Sequence, residues 1–253
     1  MNLPHGRSLP GIPVLVGRKR ALGGRLAVER FGTQVLILDD GFQHWQLYRD
    51  LDIVLVDGTN PFGNGHVLPR GILREPMEQL GRADAFIITK GDQITQDRAE
   101  AIAAKLRQYN PAAPVAMAIH KPSSCLAFAA WHDGKGHGSG ALQPDGQSVL
   151  AVSALGNPAS FERTLADAGF TVAGSLRYED HHHYSRDDIR HMAARAAETG
   201  CLLVTTEKDA VKLPAPLIKE YDLPLYVLSI TIEFTAGQDQ IDTILQAVLE
   251  DKL

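Results

Sequence analysis

The string Val35-Leu36-Ile37-Leu38-Asp39-Asp40-Gly41-Phe42-Gln43-His44 constrains this chain more than any other. An apolar run leads straight into two adjacent carboxylates, then a glycine, an amide and an imidazole. A short apolar run closed by a turn signal reads as a buried strand of a parallel sheet. Ligands of open α/β sheets sit beyond the carboxyl ends of such strands. Two acids there form a hard-oxygen site suited to Mg²⁺, the ion that accompanies phosphates in nucleotide enzymes. The string therefore predicts a Walker-B-like element for phosphoryl transfer. A phosphate loop of the form G-x-x-x-x-G-K-[ST] is absent from the 253 residues.

The rest of the chain alternates strands with helices. Apolar runs at 12–17, 35–38, 53–56, 85–89 and 115–119 read as strands, with helices over 21–30 and 94–109. Residues 131–147 are rich in glycine and read as a loop or ribbon tip. Beyond it, strands at 149–153, 201–205 and 225–228 alternate with helices over 158–168, 187–199 and 240–249. This pattern predicts an α/β fold built on a mostly parallel sheet, in two domains, 1–122 and 123–253. The hydrophobic share of 44% supplies a core, and a net charge of -5 argues against nucleic acid as a partner. Two cysteines, Cys125 and Cys201, imply no disulfide framework and suit a reducing compartment. No apolar run approaches the ~18 residues that span a bilayer, and the first residues do not read as a signal peptide.

Four clusters could carry chemistry. Asp39 and Asp40 are candidate Mg²⁺ ligands, with Gln43 and His44 near enough in sequence to share their cleft; the plainer reading is a polar turn. Asp180-His181-His182-His183-Tyr184 offers imidazoles for base, metal or phosphate work. Three consecutive histidines cannot all face one way, and a solvated turn before a helix explains them equally well. Thr205-Thr206-Glu207-Lys208-Asp209 follows an apolar run; Lys208 could neutralise a phosphate, or Thr206 could simply cap a helix with Asp209 at its third position. The loop over 58–76 is long for a plain connection and holds Arg70 and Arg74, whose planar guanidinium groups suit phosphate. Arg18 and Arg20, after the first apolar run, suit it too, although surface solvation accounts for any one of these arginines.

These pieces occur together in one order. Gly11-Ile12-Pro13-Val14, Gly17-Arg18, the Asp39-to-His44 string, Arg49-Asp50-Leu51-Asp52, Leu73-Arg74-Glu75-Pro76, Arg82-Ala83-Asp84, Gly156-Asn157-Pro158, Asp180-His181-His182 and Thr205-to-Asp209 resemble the tetraacyldisaccharide 4'-kinase family, the lipid A kinases of Gram-negative bacteria. The resemblance covers nearly the whole chain. It implies a P-loop-kinase-like parallel sheet, here an incomplete N-terminal domain, plus a second, smaller α/β domain, the two joined by a ribbon-like hinge. It implies transfer of the ATP γ-phosphate to the 4'-hydroxyl of a lipid A disaccharide precursor, at the cytoplasmic face of the inner membrane.

By the same resemblance, Asp39 and Asp40 are the Mg²⁺-associated acids, and Arg74, Glu75, Gln43, His44, Arg18 and Arg20 line the site. His181 assists a catalytic Asp. The family's membrane-associated helix, phosphate loop and motif bearing that Asp precede the Gly11-to-Val14 piece, and the 253 residues contain none of them. That difference predicts weak ATP binding, slow transfer and an exposed sheet edge in the chain as it stands. Two other readings are a metal-dependent phosphohydrolase built on Asp39, Asp40, Asp57 and the His181-His182 pair, and a non-catalytic remnant that binds a nucleotide or a partner chain.

Overall fold

The computed structural model describes residues 11–134, 141–180 and 182–250. Two compact units share the chain. One comprises Pro13–His120 with Ile232–Leu253, the other Lys121–Thr231. In chain order the elements are α1 (Arg20–Phe31), β1 (Ile53–Asp57), β2 (Ala85–Thr89), α2 (Gln96–Tyr109), β3 (Val115–Ala127), α3 (Phe128–His132), β4 (Ser148–Ser153), α4 (Pro158–Asp167), β5 (Thr171–Arg177), α5 (Arg186–Thr199), β6 (Leu202–Thr206), α6 (Glu207–Ala210), α7 (Ala215–Glu220), β7 (Leu225–Ala236) and α8 (Gln238–Glu250).

In the first unit β1, β2 and β3 are parallel neighbours, Ile53 lying opposite Ala85 and Phe86 opposite Val115. The two-residue period of the strand explains its core. Phe86 and Ile88 of β2 point to one face, where they pack with Val56, Ile102 and Leu106. Ala85 and Ile87 point to the other, where Ala116, Ala118 and Ile241 meet them. Helix α2 covers the first face. Thr95 starts it by accepting the Arg98 N–H, and Asn110 ends it.

The second unit repeats the plan, with strand order β7-β6-β4-β5 and every neighbouring pair parallel. Leu150, Val152 and Leu203 pack on one face with Ile189 and Met192 of α5. Val149, Ala151 and Val204 pack on the other with Phe161 and Leu165 of α4. Asn157 caps α4 and Pro158 opens it, while Ser185 and Asp188 form a reciprocal capping box on α5.

The expected parallel α/β architecture is present, and two expected strands are not. Residues 12–17 and 35–38 have no strand assignment and, among the described residues, join no strand of the sheet. Their side chains face outward: Val16 is 68% exposed, Leu36 55% and Ile37 94%. An apolar run becomes a strand only where a neighbour supplies the ladder, and among the described residues none does so here. The short helix α3, the edge strand β5, the short helix α7 and the continuation of β3 and β7 beyond their apolar starts went unread in the sequence, and α3 takes Trp131 and His132 out of the expected loop.

Candidate functional site

In the first unit the acidic pair sits in a turn after the unpaired run. Asp40 adopts φ 50°, a left-handed conformation that Asp tolerates better than most residues. Gly41 lets the chain fold back over Leu38, because a Cβ there would stand 2.6 Å from the Leu38 side chain. Arg74 Nη1 donates to both carboxylate oxygens of Asp40, at 2.7 and 2.6 Å. That bond, with the charge of Asp40, holds the Arg74 pKa above its ordinary value. Arg20 Nη1 donates to the main-chain carbonyl of Asp39 at 2.5 Å. Arg74 and Asp40 are each more than half exposed, so their bond is easily exchanged for another partner. Two exposed, adjacent carboxylates fit Mg²⁺, which takes one or two acids and keeps several waters.

Gln43 and His44 are half-buried in the same turn, where the His44 N–H donates to the Gly41 carbonyl at 2.9 Å. Arg49 holds the turn from behind. It donates to the His44 carbonyl at 2.8 Å and grips Asp52 through two nitrogens, at 2.6 and 2.9 Å. Arg18 is exposed on the segment leading to α1.

The loop over 58–76 is built rather than loose. Asn64 donates to the Arg70 carbonyl at 2.8 Å and accepts from the His66 N–H at 3.2 Å. The Leu68 N–H reaches the Leu73 carbonyl at 3.0 Å, and the Leu73 N–H reaches His66 at 3.2 Å. Gly71 is required at the crossing, since a Cβ would stand 2.1 Å from the His66 carbonyl oxygen. The loop thus delivers Arg74 and Glu75 from a fixed frame. Glu75 accepts from Trp45 Nε1 at 2.9 Å and from Arg82 Nη2 at 2.7 Å.

At the carboxyl ends of β1 and β2, and midway along β3, lies a second charged group, formed by Asp57, Lys90 and His120. Lys90 takes a left-handed conformation, φ 57°, and its ammonium meets Asp57 at 2.5 Å. Burial pushes the Asp57 carboxyl up, but bonds from Lys90 and Thr59 outweigh it and leave the pKa below the usual range. Burial, then the Lys90 charge, pushes the His120 pKa down. Asp57 is thus committed to an ion pair, which weakens its expected use as a third metal ligand.

In the second unit Thr206 accepts the Asp209 N–H at 3.1 Å and caps α6, as the plainer sequence reading expected. Asp209 is fully buried and accepts from the Ala154 N–H at 3.0 Å and from Lys212 Nζ at 3.0 Å. Lys208 turns outward to Asp180 at 3.2 Å, both groups less than half exposed. His182 stacks on Tyr178 with ring centroids 4.9 Å apart, and its Nε2 lies 3.0 Å from Asp188, so it braces the start of α5. His183 is exposed, and His181 lies outside the described residues.

The structure therefore gathers Asp39, Asp40, Arg20, Gln43, His44, Arg74 and Glu75 in the first unit, and Asp180 and Lys208 in the second. Trp45 and Arg82 were not singled out as site residues. The signal for Trp45 was its place directly after His44 in a chain with two tryptophans. Among the described residues no three His, Cys, Asp or Glu side chains gather as a metal cluster.

The first unit thus sets an arginine-faced acid pair beside a loop held by its own hydrogen bonds, in a parallel α/β fold. A family model of tetraacyldisaccharide-1-P 4'-kinase matches residues 6–250. The tetraacyldisaccharide 4'-kinase of Anaeromyxobacter dehalogenans strain 2CP-C is 42% identical over 241 residues, covering 94% of this chain and 62% of the relative. That of Halothermothrix orenii is 39% identical over 239 residues, covering 91% and 62%. The crystal structure of the "apo" form of LpxK from Aquifex aeolicus in complex with ATP matches with a TM-score of 0.64 at 25% identity, over 97% of this chain and 67% of that one. The chain belongs to the tetraacyldisaccharide 4'-kinase family, and it spans about 62% of the length of these curated relatives.

Proposed function

We propose that this chain serves a kinase that moves the γ-phosphate of ATP to the 4'-hydroxyl of a tetraacyldisaccharide 1-phosphate in lipid A biosynthesis. The observation that carries the reading is the Arg74–Asp40 contact at 2.6 Å beside Asp39, in a chain whose family bears that activity in its name. Phosphoryl transfer asks a protein mainly for positioning and neutralisation of charge. Asp39 and Asp40 would hold Mg²⁺, which would offset the negative charge of the phosphates. Arg74 would then exchange its hold on Asp40 for a phosphate oxygen, with Arg18 and Arg20 adding positive charge. Gln43 and His44 orient groups within the same turn. Lys208 is held by Asp180 until an anion competes for it. His181 keeps the role of assisting the activation of the acceptor hydroxyl.

The acylated acceptor implies work at the cytoplasmic face of the inner membrane. Among the described residues no helix is long and apolar enough to cross a membrane, so contact through a peripheral surface suits this chain. The test is direct. The full-length product of the reading frame that encodes this chain is incubated with ATP, Mg²⁺ and tetraacyldisaccharide 1-phosphate, and the 4'-phosphorylated product is quantified. Product from the wild type and a loss of about 100-fold or more in Asp40→Asn is expected. Equal rates in the two proteins would overturn the role of the acid pair. A wild type that forms no product would overturn the function.

A further inference from the structure

Arg82 has surroundings that a solvated arginine does not need. It lies at the end of the 3-10 turn Met77–Arg82. Its guanidinium carbon is 3.8 Å from the Trp45 ring centroid and 4.4 Å from that of Phe42. Its Nη2 donates to Glu75 Oε2 at 2.7 Å and to the Phe42 carbonyl at 3.3 Å. Its Nε and Nη1 are buried and take no hydrogen bond. A guanidinium in that state is stabilised by the ring faces and by its one carboxylate. The other oxygen of that carboxylate, Glu75 Oε1, accepts from Trp45 Nε1 at 2.9 Å. Arg82 and Trp45 thus hold both oxygens of Glu75 while in contact with each other.

The covalent neighbours of these groups give the bracket its reach. Glu75 follows Arg74, whose guanidinium rests on Asp40. Trp45 and Phe42 belong to the same turn as Asp40 and His44. The bracket therefore ties the acidic turn to the arginine-bearing loop through planar, directional contacts. A carboxylate with both oxygens so engaged, and with 16% of its side chain exposed, is poorly placed to act as a base or a metal ligand.

We propose that Arg82, with Trp45, is a positioning residue that fixes Glu75 and through it keeps Arg74 beside the acidic turn, within reach of Asp40 and of a phosphate bound there. Glu75 acts in this scheme as the anchor of Arg74 and not as a catalytic residue. The functional half of the proposal rests on the phosphotransfer reading; the bracket itself does not.

Two measurements on the full-length product of the reading frame separate the halves. In a Trp131→Phe background Trp45 is the remaining tryptophan of this chain. There, Arg82→Ala and Glu75→Gln are each expected to shift Trp45 emission and weaken its near-UV circular dichroism. Unchanged spectra would overturn the bracket. For function, Arg82→Ala is expected to slow transfer by about 10- to 100-fold, and Arg82→Lys, which keeps the charge and a donor, to recover part of that. In an Arg74→Ala background the same Arg82→Ala change is expected to cost less than about threefold, because its effect has already been lost. A full additional loss there would mean that Arg82 acts by another route and would overturn the proposal. If the wild type transfers no phosphate, the phosphotransfer reading and the functional half fail together, and the spectra alone decide the bracket.

Discussion

Residues 35–38 run into Asp39 and Asp40, and β6 runs into Glu207 and Asp209, yet the two ends differ in every physical respect. Strand β6 pairs with β4 on one side and β7 on the other, with Leu203 and Val204 fully buried. Its acid Asp209 is buried and satisfied by a helix cap, a main-chain N–H and Lys212. Residues 35–38 pair with no strand among the described residues, Ile37 is almost fully exposed, and both acids are exposed. Buried, satisfied acids hold a fold together; exposed acids with an exchangeable arginine can bind something else. The same sequence signature thus yields a structural end in one unit and a candidate site in the other.

The harshest challenge to that contrast is Asp209→Ala. It strands the Ala154 N–H and the Lys212 ammonium, and is expected to destabilise the protein by about 3–4 kcal/mol in urea unfolding. A loss under about 1 kcal/mol would show that Asp209 is not a structural keystone. A matched pair comes next. Leu203→Ala is expected to cost about 3 kcal/mol, and Leu36→Ala less than about 1 kcal/mol, although the chemistry of the change is identical. Equal costs would erase the distinction between the two runs.

The acids at the strand ends within the first unit sharpen it further. Lys90→Met is expected to lower stability by roughly 1 kcal/mol at neutral pH, a modest value because Asp57 is 37% exposed. Because the folded pKa of Asp57 is depressed, the pair stabilises above the unfolded carboxylate value of about 3.9 and is lost as pH falls through the folded one. The two unfolding curves should therefore converge in acid. A gap that persisted there would put the cost of the substitution elsewhere.

The smallest effect belongs to His120. Its folded pKa is depressed, so the unfolded chain binds more protons near pH 6 and stability climbs with pH up to the unfolded value of about 6.5. His120→Gln should flatten that climb by roughly a few tenths of a kcal/mol. An unchanged slope would remove His120 from the account.

Much of the architecture was legible in local pattern. Val54, Val56, Phe86 and Ile88 announced two strands, Ile102 and Leu106 a helix face, and Asn157-Pro158 a helix start, because these signals depend on side-chain period and caps within a few residues. The acid pair and Arg74 were legible as residue types, and Thr206 as a cap. The Asp57–Lys90 and Glu75–Arg82 pairs were not, since each joins residues separated by a turn or a strand whose path the local pattern does not give. His182 was read either as a functional imidazole or as part of a polar turn, and the packing of its ring on Tyr178 was not legible in the local pattern.

By itself the sequence determined the alternating elements, the two-faced cores and the identity of the chemical groups, because periodicity and capping are local and follow from side-chain size and polarity. Which apolar run is covered, which acid is neutralised and by whom, and how Trp45, Glu75 and Arg82 lock together were decided only in three dimensions. Burial and ion pairing depend on neighbours brought in from distant parts of the chain, and no residue carries that information alone.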